Sequence, residues 1–452
     1  MTTYARRLGL FSATMAVVGG IIGGGIFRTP AAVAERVKSP VMVLAVWGTG
    51  ALVALAGAFC YGELGRRRPR AGGGYVYLRE AWGPLPAFLY GWALLLVIAT
   101  GAIAAVAVTF ADYSVALTGL PARCALPVAV AAIGLLAVIN CIGVRPGAVT
   151  VNVFTVLKLA ALAGLIGIGL ALAPTGAAHT LPPVATSGAG QGLRAFGAAL
   201  VPVLFTYGGW QQTNFVAEEI VAPERTLPKA LAIGVAIVAT VYLLANLAYL
   251  RVLGATGLAA STAPAADTMR DLLGPVGATF IAAGIAASTF GFLDLVILVT
   301  PRVLQAMAAD GVFFPRLAAL HPRYRTPLAA ILAESGWAIV LTLTGTFAQL
   351  VDYVSFGDWI FFGLTVAGLA RIRAADRRRG GDDATGVPGY PWTPALFVGA
   401  AAFVVVSSVL ESPRNAAIGT GLLLLGVPVY LWWQRPGAGR AGAVGQGEEE
   451  PA

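Results

Sequence analysis

The stretch VVGGIIGGGIF, residues 17–27, decides between two folds. An apolar run dissolves into glycines and then turns apolar again. It is either a strand entering a phosphate-cradling turn or a helix interrupted at its middle. The first reading needs G-x-G-x-x-G in a soluble βαβ unit, with an acidic residue about 20 positions further on. Gly23 and Gly25 fill the first two glycine positions, but Arg28 stands at the third. The run also lies inside one apolar stretch among many, so the dinucleotide reading fails.

The surroundings favour a membrane. The 452-residue chain is 58% hydrophobic and only 11% charged, with a mean hydropathy of +0.80. Soluble domains carry about a quarter charged residues, and a fold of this size could not cover its surface with so few. Apolar stretches long enough to cross a hydrocarbon layer of roughly 30 Å recur from end to end. The expected fold class is all-α and polytopic, with about twelve spans at 8–34, 40–64, 84–117, 125–144, 150–173, 195–221, 229–253, 274–307, 327–346, 348–372, 392–411 and 414–433. Alternate loops are basic (GRRRPR after the second span, RIRAADRRR after the tenth), whereas TGLPARCALP and 174–194 carry few Lys or Arg. That asymmetry places both termini in the cytoplasm of a cell (inner) membrane protein. Residues 436–452 (PGAGRAGAVGQGEEEPA from Pro436) read as a disordered cytoplasmic tail.

Several functions drop out. Cys60, Cys124 and Cys141 give neither a disulfide framework nor metal-ligand spacing, and His179 and His321 lie far apart. No GxxxxGK[ST] is present. No metal, no cofactor and no enzymatic activity are therefore expected. The net charge of +9 sits in short loops, where it encodes topology and does not imply nucleic-acid binding. Arg6 and Arg7 precede the first span with no small-residue cleavage site after it, so no removed signal peptide is expected.

Within a membrane, the glycine run reads as a broken helix. Gly23, Gly24 and Gly25 each cost about 1 kcal/mol of helix propensity relative to alanine, and non-helical backbone is tolerated there only in protein or along a cavity. The helix that restarts at Ile26 and Phe27 presents N–H groups and partial positive charge, which suits a carboxylate. The competing reading is close helix packing, for which Gly19, Gly20 and Gly24 would serve. A second interruption favours the break. In VPVLFTYGGWQQTNFVAEE, residues 201–219, Gly208 and Gly209 fall mid-span, and Gln211, Gln212, Thr213 and Asn214 follow. Broken helices five spans apart are the pattern of an inverted-repeat transporter whose site lies where the breaks meet. The repeats would be 8–173 and 195–372, with 392–433 outside them.

These motifs, with FCYGELGRRRPRAGGGYVYLREAWGPLPAFLYGW and STFGFLDLVILVTPRVLQAMAADG, resemble the amino acid–polyamine–organocation superfamily, closest to its L-type amino acid transporter branch. The resemblance runs from the first span to the tenth. It implies a five-plus-five inverted-repeat fold that moves amino acids by alternating access. It also implies that N–H groups of Gly23, Gly24 and Gly25 hold the substrate carboxylate. Carbonyls of Ile21, Phe205 and Gly208 would receive the substrate ammonium. Phe205 would gate the site, against the plainer reading of a packing aromatic. Many relatives have serine where Gly24 stands, so the backbone must act alone here.

Charges inside the spans matter most. Lys158 is either a snorkelling side chain or, as the resemblance implies, an ammonium standing where sodium-coupled relatives hold the ion. Asp294 replaces an asparagine common among L-type relatives. It would couple transport to protons, recognise a cationic or polar substrate side chain, or serve as a structural group. Ser288 and Thr289 would line the pocket beside Lys158 or bond back to their own helix. Trp210 would brace the pocket or fill space. Glu63 and Glu218–Glu219 neighbour Arg66, Arg67 and Arg225 and suggest an ion network. Animal L-type transporters join an accessory glycoprotein through a loop disulfide; bacterial relatives lack it, and Cys124 alone does not imply one. The Ala/Arg/Gly-rich composition looks bacterial, so the chain is expected to work without that subunit.

The resulting expectation is a sodium-independent transporter of L-amino acids, by exchange or proton symport. Neutral substrates are favoured, because the main recognition elements address only the α-carboxylate and α-ammonium. The alternatives are a cationic amino acid or polyamine carrier with Asp294 as counter-charge, and a non-transporting amino acid receptor. The last would need an output domain that the short loops 308–326 and 373–391 cannot form.

Overall fold

A computed structural model describes residues 4–173, 189–345, 347–380 and 386–434, with the side chains of all but 189–190 and 347–356. The expected disordered tail, 436–452, lies outside the described residues, as does most of the 174–194 connection. Among the described residues the fold is helical, apart from a single bridge between Leu8 and Ile220.

The first span is split: α1 (Leu10–Ile21), a 3-10 turn at Gly25–Phe27, then α2 (Thr29–Val37). The second is α3 (Pro40–Arg67), followed by a short α4 (Gly74–Trp82). The third runs through α5 (Pro84–Ala93), one π turn at Leu94–Ile98, and α6 (Ala99–Thr118). The fourth and fifth are α7 (Ala125–Cys141) and α8 (Val144–Ala171). The sixth is split again, into α9 (Ala189–Thr206) and 3-10 turns over Trp210–Glu219. Then come α10 (Pro223–Ala260), a short α11 (Pro264–Leu273), α12 (Pro275–Val299) and α13 (Pro301–Ala309). The chain ends with α14 (Leu328–Thr344), α15 (Phe347–Arg378), α16 (Trp392–Glu411), α17 (Pro413–Leu424) and α18 (Gly426–Trp433).

Eight of these helical stretches, among the described residues, are long and apolar enough to cross a membrane. The two split spans, α14 and α15 bring the expected number to about twelve. Helix starts follow local chemistry. Proline opens α3, α5, α10, α11, α12 and α13, where its missing N–H costs nothing and its fixed φ suits the first turn.

Close packing brings the split helices to the centre. α1 lies against α8 and α10, and α12 against α6 and α8. A Cβ on Gly19 would stand 2.7 Å from Thr155 Oγ1, and one on Gly234 2.5 Å from Val17. Small residues at such contacts let helices approach without a side chain between them.

Two ionic clusters close the face that carries the N-terminus. Glu63 accepts from Arg67 (2.7 Å), from Arg373 (2.7 and 2.5 Å) and from the Val387 N–H (2.7 Å). Glu219, fully buried, pairs with buried Arg302 at 2.7 Å. The partner of Glu219 is thus Arg302 and not the nearby-in-sequence Arg225. Ahead of α1, the N–H groups of Arg7 and Leu8 donate to the Glu219 carbonyl (2.8 and 2.9 Å), and Val221 N–H donates to that of Leu8 (2.9 Å).

Candidate functional site

The two breaks meet. A Cβ on Gly20 would lie 2.8 Å from the Gly209 carbonyl oxygen, and one on Gly209 would run into the Gly20 carbonyl. Gly209 has φ +109°, a region that favours glycine. Its N–H is capped by Gln211 Oε1 at 3.0 Å. A second tie joins the far ends of the breaks: Thr29 Oγ1 at the start of α2 lies 2.9 Å from Thr206 Oγ1, which itself donates to the Pro202 carbonyl. A Cβ on Gly25 would press on Thr206 at 2.7 Å.

Between the breaks lies a cavity of about 510 Å³, within the range of small-molecule sites. Ile21, Gly23, Gly25, Phe205 and Gly208 line it, as do Gly20, Gly209, Gln211 and Gln212. The opposite wall comes from α5, the π turn and α15, through Tyr90, Leu94, Val97, Ile98, Asp358 and Trp359. The π turn is held by Thr100 Oγ1, which donates five residues back to Leu95 (2.7 Å). Such bulges recur at functional sites because they turn an extra side chain inward.

The free main-chain groups are fewer than the sequence suggested. Gly23 N–H is used within the break, donating to the Ile21 carbonyl at 2.9 Å. That same oxygen also accepts from Tyr242 OH at 3.0 Å, so both its lone pairs are engaged. The Phe205 carbonyl accepts from Gly208 N–H at 3.0 Å and keeps one lone pair. Among the described residues, no acceptor meets the N–H groups of Gly24 and Gly25, and no donor meets the Gly208 carbonyl. Gly24 also has nothing within 4 Å of where a Cβ would be. Gly19 and Gly20 therefore serve close packing, while Gly24 faces open space.

Lys158 lies outside the cavity lining, behind the first break. Its ammonium, fully buried, donates to the carbonyls of Ile22 (2.7 Å) and Gly19 (3.2 Å). Ser288 Oγ donates to the same Ile22 oxygen at 3.2 Å. The carbonyls at the end of α1 carry the partial negative charge of a helix C-terminus, so a cation is the complementary group. Thr289 instead bonds back to Ile285 and Ala286 of its own helix (2.9 and 3.0 Å).

Asp294 does not line the cavity. Its side chain is fully buried and accepts from Asn140 Nδ2 at 2.7 Å. Phe292 and Val296 of the same helix do face the cavity. At about 100° per residue, position 294 points roughly 160–200° away from both. The expected contact with a substrate side chain is not made here.

Phe205, 36% exposed, meets Trp359 edge-on at 6.2 Å between ring centroids. Trp210 is 3% exposed and packs on Tyr61 (5.0 Å) and Phe397 (5.9 Å), backing the second break.

A shared cavity at two opposed helix breaks invites comparison with known transporters. The amino acid permease model matches residues 8–432. The chain belongs to the amino acid permease family. These are membrane transporters and not enzymes. The large neutral amino acids transporter small subunit 2 of Mus musculus is 33% identical over 443 residues, covering 95% of this chain and 82% of the relative. The b(0,+)-type amino acid transporter 1 of Homo sapiens is 33% identical over 378 residues, 82% and 77% of the two chains. The cystine/glutamate transporter of Pongo abelii is 31% identical over 443 residues, 95% and 86%. The resemblance to the wider superfamily holds, and amino acid transport by a multi-pass membrane protein is the function the comparisons support.

Sequence reasoning missed Asp358, Tyr90 and Trp359. The signal for Asp358 was present, an acidic residue within the tenth span. It was hidden because Gln349, Asp352 and Ser355 precede it, so one more polar residue near the start of that span did not stand out.

Proposed function

We propose that this permease moves L-amino acids across the cell (inner) membrane by alternating access, without sodium, through exchange or proton symport. The observation that carries the reading is the single cavity on which both breaks open. It offers the unpaired Gly25 N–H for an α-carboxylate and the unpaired Gly208 carbonyl for an α-ammonium, while Gly24, whose N–H is also unpaired, lies outside the lining. A zwitterion satisfies both kinds of group at once, whereas an occupant that displaced water without meeting them would cost about 1–3 kcal/mol each. Gly23 and Ile21 then shape the first break, and Phe205 beside Trp359 gates the cavity.

Independence from sodium rests on Lys158, whose ammonium occupies the carbonyls that would otherwise attract a cation. Ser288 supports the same carbonyl, and Trp210 holds the second break in place. Residues 8–173 and 195–372 form two inverted repeats, a division supported by the five-span spacing of the breaks. Both termini face the cytoplasm, a reading supported by the basic alternate loops. On this reading the chain works without an accessory subunit, because Cys124 alone in its loop does not imply a disulfide partner. The mouse relative's name marks that protein as a small subunit, so purified single chains must be tested directly.

The test is counterflow in proteoliposomes containing this chain alone, with labelled amino acids and polyamines, with and without sodium and a pH gradient. Sodium-independent exchange of amino acids is expected. Transport of polyamines only, or strict dependence on sodium, would overturn the reading.

A further inference from the structure

We propose that Asp358 recognises a cationic side chain, so that the cavity selects amino acids bearing a second amine or a guanidinium. The inference rests on the transporter reading above and names the substrate class of the same site.

Asp358, on α15, lines the cavity. It is the one charged residue among the described lining residues. Its carboxylate receives no hydrogen bond from a described donor and pairs with no described cation. Three other interior carboxylates are answered by the protein itself; neither oxygen of fully buried Glu334 meets a described hydrogen-bond donor, but Glu334 does not line the cavity. Glu63 meets Arg67 and Arg373, Glu219 meets Arg302, and Asp294 meets Asn140. Asp358 alone of these four is turned to the space a substrate would fill.

The charge count of the site points the same way. The two charges of the amino acid backbone are met by neutral main-chain groups at the breaks, so the zwitterion brings no net charge to the cavity. The lining protein contributes one negative charge through Asp358. An unmatched carboxylate in a mostly apolar, membrane-embedded cavity is costly. A substrate with one additional positive charge brings the balance to zero, whereas leucine or alanine leaves the carboxylate unmet.

The neighbouring rings fit such a group. Tyr90, Phe205, Trp359 and Phe362 line the same cavity. Trp359 is adjacent to Asp358 in the chain and lies 5.9 Å from Phe362 and 6.2 Å from Phe205, ring centre to ring centre. Aromatic faces attract ammonium and guanidinium groups through their quadrupole. A carboxylate set among them is a site for a long cationic side chain with an alkyl stem.

The experiment is counterflow with labelled arginine and labelled leucine in proteoliposomes holding the full chain. Half-saturation for arginine, lysine and ornithine is expected at least tenfold below that for leucine and alanine. In Asp358→Asn the arginine-to-leucine ratio should fall at least tenfold, through loss on the arginine side, and Asp358→Glu should keep the preference. A wild-type preference for leucine overturns the proposal, as does an Asp358→Asn variant that weakens both substrates by one factor. That second result would mean the carboxylate serves the α-ammonium or proton coupling. Exchange of neutral amino acids alone sinks this inference and leaves the transporter reading standing; exchange of no amino acid sinks both. Should Asp358→Asn fail to fold, thermal stabilisation of the wild-type protein by arginine against leucine decides. Arginine must stabilise at lower concentration, and the reverse order refutes the proposal.

Discussion

Replacing Gly209 with alanine should separate the two breaks and disable transport. The new Cβ would run into the Gly20 carbonyl, coming within 2.6 Å of its carbon and 3.3 Å of Ile21 N. Ordinary contact between carbons is about 3.5–4.0 Å, so the breaks must part by about 1 Å. Alanine must also adopt φ near +109°, a strained conformation worth about 1–3 kcal/mol. If that strain falls on the closed, substrate-binding arrangement, affinity drops by about 5- to 140-fold, at 1.4 kcal/mol per tenfold. The control is Gly134→Ala, on α7, where nothing lies within 4 Å of the added methyl group. Counterflow on matched amounts of purified protein, with a thermal melt of each variant, makes the comparison. Gly209→Ala transporting within about twofold of wild type, with an unchanged melting midpoint, would refute the shared-cavity argument.

Other outcomes follow from the same geometry. Lys158→Ala strips the cation from the Gly19 and Ile22 carbonyls, leaving Ile22 with Ser288 alone and Gly19 unmet at about 1–3 kcal/mol; uptake should fall at least about tenfold and should not become sodium-dependent, and normal uptake would defeat the assignment. Asp294→Asn keeps an acceptor for Asn140 outside the cavity, so selectivity among alanine, leucine and arginine should stay within about twofold at each pH tested; a change in selectivity or pH profile would mean Asp294 acts on substrate or protons. Arg302→Ala leaves Glu219 buried and unpaired, at a cost of about 3–5 kcal/mol, read as a lower melting midpoint. Gly24→Ser puts its side chain into open space, so the amount of folded protein should match wild type; aggregation on purification would contradict the placement of Gly24.

The sequence made the breaks legible because glycine leaves a plain mark: three in a row at 23–25 and two at 208–209, each in the middle of an apolar span. Proline marked many of the helix starts as clearly. What composition does not carry is which way a side chain turns. Asp294 and Phe292 are two residues apart on one helix, yet they face opposite sides of it, and only packing against α7 and α8 fixes which side is the cavity. Nor does the pattern reveal that Gly23 N–H turns back on Ile21, removing both from the set of free groups. The 3-10 turns over Trp210–Glu219 and the π turn at Leu94–Ile98 are likewise set by tertiary contacts, because no local propensity separates them from α-helix.

The short seam between Arg7–Leu8 and Glu219–Val221 bolts the entry of the first split helix to the exit of the second. Three main-chain bonds at about 0.5–1.5 kcal/mol each make that bolt worth about 1.5–4.5 kcal/mol. In the alternating-access cycle proposed above, release toward the N-terminal face requires that seam to open. The residues just ahead of α1 therefore help set the tempo of the cycle, and a chain trimmed through Leu8 should leak.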